Sequence, residues 1–149
     1  STAGDVVSTP LWPLERVGAV PARHPLARRG RVDAEEFADH SMLYVPGLPP
    51  DFTSLWSLGD TRSLHGARLV EIAPRSSRDV FHSLAATGGS IALHPEAVRG
   101  RPRDIHAVAL TGAPRTWYYV AQRRGAQDVR ADAFRRLLRL PQRSAGNAE

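Results

Sequence analysis

The sequence predicts an α/β fold, a mixed and mostly parallel sheet with flanking helices, and three observations lead there. Short apolar runs rich in β-branched and aromatic residues (LERVGAV, SMLYV, ARLVEIA, SIALHP, IHAVAL, TWYYVAQ) alternate with segments whose apolar residues recur at helical spacing. Alternation of this kind builds parallel strand pairs, because a crossover helix returns the chain to the same end of the sheet. The chain has 149 residues and no internal repeat, so it accommodates about one domain and not a solenoid.

Each element has a local reason. Leu14 to Val20 reads as a strand, and Pro21 with Pro25 stops it from continuing or from turning directly into a helix. Asp33 opens a D-x-x-E pattern with Glu36, an N-cap arrangement that predicts a short helix over Ala34 to Asp39, buried through Phe37. SMLYV returns as a strand, and the turn chemistry from Val45 to Pro50 leads to a second helix capped by Asp51, with Phe52, Leu55, Trp56 and Leu58 on its inner face. ARLVEIA, from Ala67, is the next strand. Ser76 or Ser77 caps a helix in which Val80, Phe81, Leu84 and Ala85 share a face, and Thr87-Gly88-Gly89 ends it in the left-handed conformation open to glycine. Strands SIALHP, IHAVAL and TWYYVAQ follow. Asp128 to Leu140 reads as a closing helix with Val129, Ala133, Phe134, Leu137 and Leu138 on one side, stopped by Pro141.

Composition narrows the function classes. All 20 basic residues are arginine and the formal net charge is +5, which invites a polyanion partner. The arginines are scattered along the whole chain, however, as a GC-rich coding sequence would scatter them. The absence of cysteine excludes disulfides, thiolate metal sites and a cysteine nucleophile. No apolar run approaches the roughly 20 residues of a membrane span, and no membrane role is expected.

Three motifs compete for a chemical role. Gly88-Gly89-Ser90-Ile91-Ala92 superficially resembles the nucleophile elbow of a serine hydrolase, but the elbow needs a strand before the serine and a helix after it, and here the order is reversed. The six histidines form no H-x-x-x-H pair, and His94-Pro95-Glu96 lacks partner ligands, so neither a metal nor any other cofactor is expected. Arg99-Gly100-Arg101-Pro102-Arg103 contains R-G-R-P, the core of a hook that inserts arginine into an A·T minor groove; the alternative is a solvated loop between two strands. A DNA-binding or architectural role through this loop is the second reading of the chain, and an enzyme is the third.

The order strand, HPLA, capped short helix, strand, loop, helix, strand, then S-x-x-x-V-F-x-x-L with a glycine break and SIALHP, resembles the effector-binding domain of LysR-type bacterial transcriptional regulators. LERVGAVPARHPLA resembles that family's crossing from subdomain I into subdomain II, SRDVFHSLAATGGSIALHPEAV its helix, glycine break and strand, RDIHAVALTGAPRTWYYVAQRRG its return crossing and ADAFRRLLRL its closing helix. The resemblance implies a periplasmic-binding-protein-like (type 2) regulatory subdomain. Residues 1–20 would be part of subdomain I with the crossing strand, 21–114 regulatory subdomain II, 115–140 the return strand and closing helix, and 141–149 a disordered tail. The family's winged helix-turn-helix has no counterpart in this sequence, so DNA contact in the family's manner would need a domain absent from this chain. The glycine break reads Thr87-Gly88-Gly89-Ser90 where the family more often has Ala-Gly-x-Gly.

The resemblance further implies a cytoplasmic, non-enzymatic sensor that holds a small anionic or aromatic metabolite between two subdomains and shifts a regulator between states. In open α/β sheets ligands sit beyond the C-terminal strand ends, near helix N-termini whose free N–H groups favour anions. Applied here, this selects Val45, Pro46 and Gly47 after one strand, and Ser76 and Ser77 after the strand ending at Ala73. The crossing strands and the apolar face of Asp128 to Leu140 would lie open in a monomer, so a homodimer is expected.

Overall fold

The computed structural model of the chain describes residues 6–123 together with 133, 134, 136 and 137. It divides into two units: residues 14–116, and residues 1–13 with 117–149. In the second unit the described elements are β1 (Val6–Leu14) and β8 (Thr116–Arg123), which pair as a two-stranded sheet. Strand alternation separates the aromatic run there: Tyr118 meets Trp12 edge to face at 5.1 Å, while Trp117 and Tyr119 face solvent. Ala133, Phe134, Arg136 and Leu137 are also exposed, and the other residues of the predicted closing helix and the tail 141–149 lie outside the described residues.

The 14–116 unit is built on strands β2 (Val17–Pro21), β3 (Arg31–Asp33), β6 (Ile91–Leu93) and β7 (Ile105–Thr111), in the spatial order β3-β7-β2-β6. The parallel pair β4 (Met42–Tyr44) and β5 (Leu69–Glu71) joins the β6 side through a parallel bridge between Met42 and Ser90. Strand β2 is antiparallel to both of its neighbours and β3 is parallel to β7, so β3, β4, β5, β6 and β7 all run one way and β2 alone runs against them. A single strand entering against the others is what a chain crossing into the sheet from its C-terminal edge must produce.

Each central strand sends alternate side chains to two cores, as the two-residue pleat requires. Val20, Met42, Ala92, Val108 and Leu110 join Phe37 of α1 (Ala34–Ala38) on one side. Ala19, Leu43, Ile91 and Ile105 join Val80, Phe81 and Leu84 of α3 (Ser77–Thr87) on the other. Gly18 permits the first of these packings, because a methyl group on it would overlap the Phe37 ring, whose Cζ would stand at 2.5 Å.

Several expectations are corrected. The Leu14 to Val20 run is not one strand: β1 ends at Leu14, β2 starts at Val17, and Glu15-Arg16 is a break that turns Arg16 inward. Helix α1 is capped by Asp33, which accepts from Glu35 N–H at 2.9 Å, but Glu36 does not close the box; its carboxylate pairs with Arg29 at 3.1 Å. Helix α2 (Pro50–Trp56) starts one residue before the expected cap: Pro49 occupies the N-cap and Asp51 sits in the first turn. Only part of the expected face meets the core: Phe52 is exposed, Leu55 and Trp56 are half-buried with Trp56 packed against the α3-side cluster, and the buried Leu58 follows the helix with φ at +57°. Strand β5 ends at Glu71, not Ala73, and SIALHP gives a strand only to Leu93, after which His94 caps a 3₁₀ turn, Pro95–Val98.

The arginine content has a structural use. None of α1, α2, α3 or the 3₁₀ turn carries a basic residue in its own last turn, yet each ends on an arginine reaching carbonyls that the helix cannot bond itself. Arg62 donates to Ala38 O, Arg16 to Leu55 O, Arg23 to Ala85 O (2.6 Å) and Ala86 O (3.2 Å), and Arg101 to Val98 O (2.9 Å). The five-donor fork lets two of them hold a carboxylate as well, Arg62 on Asp39 and Arg16 on Asp60.

Candidate functional site

Because the five co-directional strands end on one edge of the sheet, the loops after β4, β5 and β6 emerge there together. Tyr44 O accepts from Ile72 N–H at 2.8 Å, which holds the exits of β4 and β5 side by side. Val45 is half-buried against the cluster of Ile72, Val80 and Phe81. Pro46 and Gly47 are exposed, and Gly47 takes φ at +80°, a turn conformation that side chains disfavour.

After β5 the chain reaches α3, whose cap is reciprocal. Ser76 Oγ accepts from Asp79 N–H at 3.3 Å, and Asp79 Oδ2 accepts from Arg75 N–H at 2.9 Å. The Arg75 N–H holds the Asp79 carboxyl below the usual carboxylate range; burial opposes this, and bonds from Ser76 and the charge of His82 add to it. Ser76 is therefore the capping residue, and Ser77 is the first helical residue, free to face its surroundings. It borders two adjoining hollows. One, of 460 Å³, is shared with Arg78, Phe81, His82, Ala97, Gly100 and Pro102. The other, of 100 Å³, is walled by Trp56, Val80, Phe81, Leu93 and Ala97. The site thus pairs an apolar floor with the first-turn N–H groups of an eleven-residue helix and two side chains able to carry positive charge.

Of the five residues expected from sequence, Ser77 borders the hollows and Val45 packs against the cluster that contains Val80 and Phe81, but Val45, Pro46, Gly47 and Ser76 border neither hollow. Sequence reasoning missed Trp56, Leu93 and Ala97. The strand-end rule that selected two loops would have found the third, since Leu93-His94-Pro95 leaves β6 at the same edge.

The competing motifs resolve differently. Ser90 is buried, and its Oγ donates to Ser41 O at 3.1 Å, so it is a sheet residue and not an exposed nucleophile. In the Arg-rich loop, Arg101 donates to Ile105 O (3.0 Å) and Val98 O (2.9 Å) and Arg99 pairs with Glu96 at 3.0 Å. The segment is folded onto itself, unlike an extended hook lying in a groove. Among the described residues no group of three or more acidic or histidine side chains could hold a metal, and no helix is long and apolar enough to cross a membrane.

With strand order and site in view, comparison defines the class of protein: the description of the LysR substrate binding domain matches residues 2–140, and the chain belongs to that family, with its type 2 periplasmic-binding-protein-like fold. Among solved structures it is similar to full-length BenM, with a TM-score of 0.71 and 21% identity over 97% of this chain and 49% of that one. It is also similar to the BenM effector binding domain with its effector benzoate, with a TM-score of 0.71 and 20% identity over 100% of this chain and 68% of the other. A third relative in fold is the Synechocystis PCC6803 CcmR regulatory domain in complex with 2-PG, with a TM-score of 0.65 and 16% identity over 90% of this chain and 65% of that one. The chain spans about half the length of full-length BenM. No curated protein matches it.

Proposed function

We propose that the chain is the effector-sensing part of a LysR-type bacterial transcriptional regulator, working in the cytoplasm without chemistry of its own, with residues 21–114 as regulatory subdomain II. In this reading Val45, Pro46, Gly47, Ser76 and Ser77 form one wall of the effector cleft, and the ligand is a small anionic or aromatic metabolite. The observation that carries it is the shared edge: β4, β5 and β6 deliver their loops beside the first turn of α3, with Phe81 and Trp56 as apolar contact. The occupants named for similar domains, benzoate in BenM and 2-PG in CcmR, support a small ligand. Operator binding would reside in the family's winged helix-turn-helix. The regulator would act as a homodimer, and light scattering over a dilution series of this chain, showing a concentration-dependent doubling of mass, checks that part.

The site is tested by titrating the protein with benzoate while following backbone amide resonances. Shifts should concentrate at Val45, Gly47, Ser76, Ser77 and Arg78, since Pro46 has no amide proton, and Ser77→Ala should weaken binding several-fold. A saturable response confined to residues away from these loops would overturn the placement, and Ser77→Ala binding as tightly as wild type would remove Ser77 from the site.

A further inference from the structure

We propose that His24 and His40 form an acid-sensitive latch that holds the turn after β2 against the end of α1. The two rings meet edge to face, 4.6 Å between centroids. His24 is 7% exposed, and its Nδ1 accepts from Leu26 N–H at 3.2 Å. This bond fixes the neutral tautomer with the proton on Nε2, because a proton on Nδ1 would set donor against donor in a buried turn. The turn matters to the core, since it delivers Leu26 and Ala27 into the cluster around Phe37. It also carries Arg23, which holds the C-terminal carbonyls of α3.

The surrounding charges leave an imidazolium there without compensation. From the same turn, Arg23 is drawn to Ala85 and Ala86, and Arg29 to Glu36 of α1. Beside His40, Asp39 is held by Arg62 at 2.7 Å. From the loop before β7, Asp104 offers its backbone carbonyl to Ala22 N–H, and on β7 His106 stands opposite Val20. Among the described residues no carboxylate lies in ion-pair reach of either ring, so protonating His24 buries a positive charge against a second imidazole. Burial, and then the proximity of His40, push the His24 imidazole below its ordinary range. The sign follows: above about pH 6.5 both folded and unfolded chains are neutral at His24 and the latch contributes fully. As pH falls, the unfolded chain takes a proton that the folded one resists, and stability is lost down through the lowered folded value.

The experiment is amide hydrogen exchange of Leu26 in the full chain between about pH 7.5 and pH 5.5, corrected for intrinsic exchange, with imidazole carbon titrations in parallel. Protection should fall about tenfold per unit of separation between the folded and unfolded values. His24→Asn supplies a side-chain oxygen that bonds two residues on without titrating, so it should keep the turn and flatten the response. His40→Phe keeps a ring contact without charge and should move the His24 titration back toward its ordinary range. A Leu26 amide indifferent to pH, or a His24→Asn variant with wild-type pH dependence, would refute the latch. If His24→Asn fails to fold, the titrations decide: His24 must titrate below about 6.5 in wild type and higher in His40→Phe, and any other order refutes it.

Discussion

Deleting the more exposed partner of the Arg16–Asp60 pair should harm the protein more than deleting the buried one. The Arg16 side chain is 1% exposed and Asp60 is 32% exposed; Nη1 of Arg16 meets both carboxylate oxygens at 2.7 Å and Nη2 donates to Leu55 O. Asp60→Ala strips the counter-charge from a buried guanidinium, a situation that costs about 3–5 kcal/mol. The Leu55 carbonyl remains and Asp60 was itself about a third exposed, so the lower end, about 3 kcal/mol, is expected. Arg16→Met fills the same space with apolar atoms and frees a carboxylate that already reaches solvent. What is lost is a charge-assisted contact to Leu55 and the pair itself, about 1 kcal/mol net. The gap of about 2 kcal/mol corresponds to a Tm difference of roughly 4–8 °C for a chain of this size. Urea denaturation of wild type, both single variants and the double variant measures it, and the double variant should resemble Arg16→Met alone. If Arg16→Met costs as much as Asp60→Ala, the energy lies in the pair's attraction and not in the stranded cation, and the reasoning fails.

Gly18→Ala should destabilise by about 1–3 kcal/mol through overlap with Phe37, and Phe37→Leu in the same chain should recover part of it; additive losses in denaturant melts would show that the two do not touch. Ser76→Ala should cost about 1 kcal/mol by removing the α3 cap. The depressed Asp79 carboxyl contributes above the unfolded carboxylate value of about 4 and its contribution is lost as pH falls through the lower folded value, so Asp79→Asn should blunt the acid limb of a stability profile below about pH 4. Arg101→Gln should speed amide exchange in the 98–105 loop without changing affinity for AT-rich over GC-rich duplexes in salt-dependent binding assays, since its donors already serve Val98 and Ile105.

Local chemistry determines much of this fold. Apolar spacing located α3 from Ser77 and its face of Val80, Phe81 and Leu84, glycine marked its left-handed end at Gly88, and Asp33 marked the start of α1. These features depend on neighbours within a turn or two, which is the range over which capping and periodicity act. The site was legible only as an edge, because the strand-end rule picks loops but not which side chains in them face inward. Ser76 caps its own helix through Asp79 N–H, and Ser77 borders the hollow that Trp56, Leu93 and Ala97 wall. The break at Glu15-Arg16 was invisible in LERVGAV: a buried guanidinium is tolerable only when Asp60 and Leu55 arrive from 44 and 39 residues away. The same holds for the arginines that close the ends of α1, α2 and α3 from 24, 39 and 62 residues away. Sequence alone set the periodic elements, because their causes are local. Tertiary structure decided which charges could be buried and what surrounds each serine, because the partners that satisfy a buried donor are brought together only by the fold.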